Sequence, residues 1–311
     1  MGWGRWNDLA EVKFLQSERM DKTPVAIIGT GNIGSDLLVK LSRSRYLECA
    51  LFAGRNKDSK GIALAKQMGV NTSHESIAAI ETNSDNYDIV FDATSADSHA
   101  LNAPILKKLG KCVIDMTPEH TGWMCIPALN ISDCADKKEI NLVTCGGQAA
   151  IPIAHALMLA CPDVEYIEVV TSIASKSAGP ATRSNIDEYV ETTRDGILSF
   201  SRVKRAKAIL NLNPANPPIN MHNTVYAEMS EEPDMELVRD KVHDMIKKVQ
   251  TYVPGCTLKL EPLFETDRLT LINEVVGLGD YLPKYAGNLD IMTCAAIAVA
   301  EEYARRNGRR D

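Results

Sequence analysis

Four apolar residues, Val25-Ala26-Ile27-Ile28, run directly into Gly29-Thr30-Gly31-Asn32-Ile33-Gly34, and a helix-forming segment from Asp36 to Arg43 follows. An apolar run without polar alternation suits a strand buried on both faces, as in a parallel sheet. A strand, a G-x-G-x-x-G turn and a helix in this order form a dinucleotide-type loop. The first glycine permits the tight turn, the second lets backbone approach a pyrophosphate, and the third lets helix pack on strand. The same letters also occur in ordinary strand-to-helix turns, so the strand before and the helix after carry the assignment.

The pattern then repeats. Segments Glu48–Ala53, Asp88–Ala93, Lys111–Asp115 and Ile140–Thr144 read as strands. Ser59–Met68, ended by Gly69, and Ala100–Leu109 read as helices. Strands alternating with helices predict a Rossmann-type, doubly wound α/β domain over residues 21–144. Beyond it the order changes. Ala149–Leu159 and Asn185–Phe200 read as helices and Met235–Val249 as an amphipathic one. Tyr166–Ile173, Lys207–Leu212, Asn223–Met229, Thr257–Leu263 and Leu269–Val276 read as strands, with a Pro-rich link at 213–218. This predicts an open-faced α+β domain for catalysis and oligomerisation over 145–286. A final helix, Leu289–Arg306, with Arg305 and Arg306 at its negative end and Gly308 as its stop, is expected to return to the first domain as part of 287–311. Residues 1–20 carry charges and no continuous apolar stretch, so they read as an extension rather than a signal peptide, with Met20 an alternative start.

A chain of 311 residues suits two such domains, with 45% apolar and 24% charged residues typical of globular proteins. A net charge of −7 argues against a nucleic-acid binder. No apolar run is long enough to span a membrane. The eight cysteines are scattered, without C-x-x-C pairs or zinc spacing. We therefore expect no metal site and a reducing, cytoplasmic setting.

One cysteine stands apart. Asn141-Leu142-Val143-Thr144-Cys145-Gly146-Gly147-Gln148 puts a thiol at the end of an apolar run and at the start of a helical one. A helix N-terminus stabilises a thiolate, so the pKa of Cys145 is expected to fall. The plainer reading is an inert thiol at a strand end. A reactive thiol beside a nicotinamide site suggests aldehyde oxidation through a thioester. Such chemistry needs oxyanion donors, for which backbone N–H groups at the helix start are suited. The second strand ends in Ala53-Gly54-Arg55-Asn56, with no acid to hold the ribose hydroxyls of NAD. Arg55 is either an exposed arginine or a partner for the 2′-phosphate of NADP, so NAD, NADP or use of both stays open.

Several longer blocks now weigh together. These are Gly29 to Leu37, Val90-Phe91-Asp92-Ala93-Thr94-Ser95-Ala96, Ile114-Asp115-Met116-Thr117-Pro118, Val143 to Gln148, Ala174 to Glu188 and Tyr281 to Thr293. Over Val25 to the final helix the chain resembles acylating acetaldehyde dehydrogenase, the enzyme that ends aromatic meta-cleavage pathways. The resemblance implies a glyceraldehyde-3-phosphate-dehydrogenase-like fold. It also implies oxidation of a short aldehyde with NAD and coenzyme A to acyl-CoA. A homo-oligomer and a 4-hydroxy-2-oxovalerate aldolase partner are implied with it. By resemblance Cys145 is the nucleophile, and Asn185, in T-R-x-N-I-D, a candidate amide donor that also stands where it would cap a helix. Cofactor contacts map onto Gly29, Thr30, Gly31, Asn32, Ile33 and Gly34, onto Ser177, Ala178, Gly179, Pro180, Ala181, Thr182, Arg183 and Ser184, and onto Asn288, for which helix capping is the alternative.

The chain departs from that pattern in two places. Asn223 stands where the family has an aspartate thought to help activate the cysteine, and an amide cannot take a proton. The adjacent His222 is the other candidate base, but neighbours on a strand point to opposite faces. The stretch Thr257–Asp280 is shorter than the family's, which touches the expected dimer and aldolase contacts. Two other readings follow. A non-acylating or phosphate-dependent (semi)aldehyde dehydrogenase of the same fold would use a basic substrate anchor, for which Lys176 and Arg183 are available. A binding subunit with weakened catalysis would accommodate Asn223.

Overall fold

The computed structural model describes residues 22–119 and 121–307. The extension at 1–20 and the stop at Gly308 lie outside them.

Seven strands form the first sheet: β1 (Thr23–Ile28), β2 (Leu47–Ala53), β3 (Thr72–Ser73), β4 (Ile89–Asp92), β5 (Cys112–Asp115), β6 (Trp123–Met124) and β7 (Glu139–Asn141). All pairings are parallel, in the order β3-β2-β1-β4-β5-β7-β6. The apolar run that opens the chain is buried on both faces, as its pattern demands. Val25 and Ile27 belong to the larger core with Leu37 and Leu41, while Ala26 and Ile28 join Ile80, Val90 and Leu106 on the other side. Each fully buried Ile or Leu contributes about 1.5–3 kcal/mol by removal from water. The chain runs outward through β2 and β3, then crosses to β4. The crevice for a ligand therefore lies beyond the carboxyl ends of β1 and β4.

The second sheet holds β8 (Tyr166–Ala174), β9 (Arg205–Asn213), β10 (Met221–Glu228), β11 (Cys256–Glu265) and β12 (Arg268–Val275), in the order β11-β12-β10-β8-β9. Only β8 and β9 run parallel. The inward residues Ile167, Val169, Ile173, Val225 and Leu271 share one core with the helices Cys145–Ala160 and Met235–Gln250. The expected α/β domain followed by an open-faced α+β domain is what the chain builds.

The helix Gly287–Asn307 packs on the glycine-loop helix Asn32–Leu41. Buried Lys40 donates to Asp36 at 2.5 Å and to Asp290 at 2.8 Å, and Thr293 Oγ1 donates to Asp36 at 2.6 Å. Removing one member of such a buried set costs about 3–5 kcal/mol, because it strands the other charges.

Local differences from the sequence expectations cluster near the thiol. The strand expected over 140–144 ends at Asn141, and the helix expected from Ala149 begins at Cys145. The short strands β3 and β6 and the helix Ile77–Thr82 were too brief to leave a period in the sequence.

Candidate active site

The turn that presents Cys145 is built from three polar side chains. Val143 adopts a positive φ of 60°, costly for a β-branched residue. Asn141 holds it there. Its Oδ1 accepts the Val143 N–H at 2.8 Å, while its Nδ2 donates to Asp115 Oδ2 at 2.8 Å and to the Glu119 carbonyl at 2.7 Å. Thr144 then caps the helix Cys145–Ala160, its Oγ1 accepting from Gly147 N–H at 2.9 Å. The same Oγ1 lies 2.7 Å from Thr193 Oγ1, and Thr193 donates to the Tyr189 carbonyl at 2.7 Å. This ties the Cys145 helix to the helix Ile186–Ser201.

Cys145 is half-buried. Its thiol donates to Tyr189 Oη at 3.7 Å, and that oxygen also accepts the Gly146 N–H at 3.0 Å. Thr171, facing inward from β8, donates from Oγ1 to Asn223 Oδ1 at 2.7 Å. Gly146 is required here, because a Cβ would strike both Tyr189 Oη and Thr171 Oγ1. The helix start does not give the lowered thiol pKa expected from its dipole. Burial pushes Cys145 up to about 11, against the lowering effect of the Tyr189 hydroxyl and of the Gly146 and Cys145 N–H groups. All these influences are neutral.

The expected oxyanion donors are reduced in number. Gly147 N–H is engaged by Thr144 and Gly146 N–H by Tyr189. Asn185 is buried at the N-cap position of the Ile186–Ser201 helix without making a capping bond, so capping does not consume its amide. It lies one helical turn before Tyr189, on the same face.

Asn223 is fully buried on β10, and its Nδ2 has no hydrogen-bond partner among the described residues. His222 shares the half-buried, opposite parity of the strand, with Nδ1 3.3 Å from the Asn220 carbonyl. It therefore does not take the place of the expected carboxylate.

The cofactor segments converge from three directions. Gly29 takes a φ of 112° and presses against the Ala93 carbonyl, where a Cβ would collide, whereas Gly31 faces open space. The helix Asn32–Leu41 starts at Gly31 with no side-chain cap, leaving its first N–H groups to receive an anion. Ile33 packs against the cluster of Leu282, Ala286 and Leu289, the last of which adjoins Asn288. Asn288 donates to the Ser177 carbonyl at 3.4 Å, and its Oδ1 is buried without a partner among the described residues. It lies inside the Gly287–Asn307 helix and links that helix to the second cofactor segment. An open glycine cradle, an uncapped helix start and an orphaned amide oxygen fit a dinucleotide with a carboxamide-bearing ring.

Within 177–184, Ser177 and Ala178 are buried and Gly179 half-buried, and Pro180–Ser184 forms one short helical turn that carries Ala181 and Thr182. Arg183 folds back on this segment, donating to the Ala178 carbonyl at 3.1 Å and to the Ser175 carbonyl and hydroxyl at 2.8 Å. These bonds brace the segment. Arg55 is exposed just beyond β2, while Thr30 fills the space beside Gly54 and accepts from Ser59 Oγ at 3.1 Å.

Tyr189, Thr171 and His99 escaped the sequence reading. Thr171 had a signal, as the polar member of the inward series Ile167, Val169, Thr171, Ile173. Tyr189 follows Asn185 by four residues. His99 sits fully buried behind the Cys145 turn, with Nδ1 2.9 Å from Asp92 Oδ2 and Nε2 3.4 Å from Glu139 Oε1 and 3.5 Å from Asp115 Oδ2. Burial opposes its charge, but the Asp92 bond and the surrounding carboxylates raise its pKa to about 9. Burial pushes Asp115 up to about 7 despite His99 and the Thr117 N–H.

Comparison with known proteins gives a consistent picture. Residues 145–283 match a family model described as prokaryotic acetaldehyde dehydrogenase, dimerisation. Residues 24–136 match one described as semialdehyde dehydrogenase, NAD binding domain. An acetaldehyde dehydrogenase of Spirochaeta aurantia is 50% identical over 281 residues, covering 90% of this chain and 94% of that protein. One from Pectobacterium atrosepticum is 50% identical over 282 residues, covering 90% and 95%. One from Brevibacillus brevis is 48% identical over 287 residues, covering 92% and 97%. Aspartate semialdehyde dehydrogenase II from Vibrio cholerae superposes with a TM-score of 0.64 at 16% identity, over 92% of this chain and 100% of that one, and so shares the fold.

Proposed function

The chain belongs to the acetaldehyde dehydrogenase family and is an NAD-dependent oxidoreductase, and from that premise we propose that it oxidises a short aldehyde to its acyl-CoA through a thioester on Cys145. The observation that carries the proposal is the Cys145 turn, which sets a half-buried thiol at a helix start beside Tyr189, on the helix that follows Asn185. The Cys145 thiolate attacks the aldehyde carbon, forming a C–S bond and an alkoxide. Asn185 and the Cys145 N–H are the donors for that oxyanion. Collapse of the alkoxide expels hydride and leaves an acyl group on sulfur. The bound nicotinamide supplies the hydride acceptor. The thiolate of coenzyme A then attacks the acyl carbon, and Cys145 departs as thiolate.

Gly29 to Gly34 at the uncapped helix start would hold the pyrophosphate, Ser177 to Ser184 would line the site, and Asn288 Oδ1 would accept a hydrogen bond from the cofactor. Arg55, exposed where an acid would select NAD, favours tolerance of a 2′-phosphate, so use of NADP beside NAD is part of the proposal.

Arg183 speaks for coenzyme A over the phosphate-linked alternative, because its guanidinium braces its own segment. The decisive assay follows reduced cofactor with acetaldehyde in the presence of coenzyme A, of phosphate, or of neither. Turnover that needs coenzyme A supports the proposal; equal turnover with phosphate or water alone contradicts it.

A homo-oligomer is supported by the dimerisation match and by the outer face of the second sheet. There Ile209, Val170, Thr224, Ile272 and Leu260 line up across five strands as a mostly apolar row. A second copy of the chain is the proposed occupant. An aldolase that releases acetaldehyde, of the 4-hydroxy-2-oxovalerate class, is the proposed partner. No helix among the described residues is long and apolar enough to cross a membrane. Eight free cysteines agree with a cytoplasmic location.

A further inference from the structure

The hydrogen bonds around Cys145 have a direction. Thr171 commits its proton to Asn223 Oδ1, which leaves Thr171 Oγ1 as an acceptor beside Tyr189 Oη. Tyr189 Oη already accepts twice, from the Cys145 thiol and from Gly146 N–H. With that proton committed, Thr171 Oγ1 is the acceptor left in contact with the Tyr189 hydroxyl, and the line of side chains runs from Cys145 through Tyr189 and Thr171 to Asn223. It ends on an amide, which cannot take a proton away. No base is therefore reached through it, and the three hydroxyl and amide groups serve another purpose.

We propose that Tyr189 is the donor that stabilises the Cys145 thiolate, its hydroxyl turning from Thr171 Oγ1 toward the sulfur once the thiol ionises. The step balances simply. The S–H bond breaks, its proton passes to solvent water, and the Tyr189 O–H stays intact while its hydrogen bond changes partner. Gly146 N–H holds the phenol oxygen in place throughout, at 3.0 Å. Burial holds the Tyr189 pKa well above its ordinary value, so the phenol remains a neutral donor wherever the enzyme works. Thr171 competes with the sulfur for this one proton, and Asn223 fixes Thr171 in the competing orientation.

The inference rests on Cys145 as the nucleophile, and its test keeps the two apart. Iodoacetamide labelling of Cys145, read on its own peptide by mass, reports thiolate independently of turnover. Below the thiol's midpoint the rate follows the thiolate fraction. Tyr189→Phe should slow labelling about tenfold at every pH, displacing the rate–pH line by about one unit, the scale of a hydrogen bond to a charged group. Thr171→Val should do the opposite and speed labelling, since the phenol loses its other acceptor. A merely structural role predicts no such opposition of sign. Unchanged labelling in Tyr189→Phe, or slowing in Thr171→Val, overturns the proposal. Should Tyr189→Phe not fold, Thr171→Val decides alone. Full turnover in Cys145→Ser would instead sink the nucleophile assignment.

Discussion

Two buried polar clusters flank the Cys145 turn, and they are built from opposite materials. On the sulfur side stand Tyr189, Thr171 and Asn223, all neutral. Behind the turn stand His99, Asp92, Asp115 and Glu139, all ionisable, joined to it by Asn141. The charged cluster fixes backbone: through Asn141 it holds the left-handed Val143 two residues before the thiol. The neutral cluster meets the reacting atom. Charge appears and vanishes on sulfur and oxygen during thioester chemistry, so fixed charges beside them would favour one stage over another. Dipoles that reorient serve both stages.

Removing the reacting atom should have the largest effect. Cys145→Ser is expected to lower acetaldehyde turnover about a thousandfold or more with the fold retained, by steady-state assay and circular dichroism. Breaking the charged cluster comes next. His99→Gln should cost about 3–5 kcal/mol in denaturant unfolding, because it strands buried carboxylates. Its pH signature separates it from the neutral cluster. A folded pKa of about 9 lies above the ordinary histidine value, so the contribution of His99 is complete below about pH 6.5 and is lost as pH rises through about 9. Asp115, raised to about 7, likewise loses its contribution as pH rises through that value. The melting temperature should therefore fall as pH rises from 6.5 to 9, and His99→Gln should flatten the upper part of that fall.

Placing charge in the neutral cluster sharpens the contrast. Asn223→Asp keeps an acceptor for Thr171, so turnover near pH 7 should stay within about tenfold of the parent. The rate–pH profile should gain one ionisation that the parent lacks. A profile identical to the parent would mean that this position does not communicate with the thiol. Arg55→Asp, remote from both clusters, should lower kcat/KM for NADP about tenfold and leave that for NAD within about threefold, a change confined to cofactor choice.

The sequence carries these two clusters unequally. The apolar runs and the glycine turn announce the doubly wound sheet, because burial on both faces leaves a continuous pattern. Cys145, Asn185 and Asn288 are visible as motif residues. The turn that presents the thiol is not. Its strand stops at Asn141 because a side chain replaces the ladder, and its helix starts at Cys145 because Thr144 caps it. Periodicity registers neither event. The lowered thiol pKa expected from the helix dipole failed because burial outweighs a partial charge at a helix start. Tyr189 reaches the sulfur only through packing of one helix on another, a relation that no spacing within the chain encodes. His222 and Asn223 show the converse, since strand parity alone is enough to put the two on opposite faces of β10.

The central claim is a covalent acyl group on Cys145. Mixing the protein with acetaldehyde and NAD but no coenzyme A, quenching in acid and weighing the peptide that carries Cys145 tests it directly. The account predicts the added mass of one acetyl group on that peptide, removed when coenzyme A is supplied before the quench. Formation of reduced cofactor with that peptide unmodified, or with the acetyl group on another residue, would contradict it.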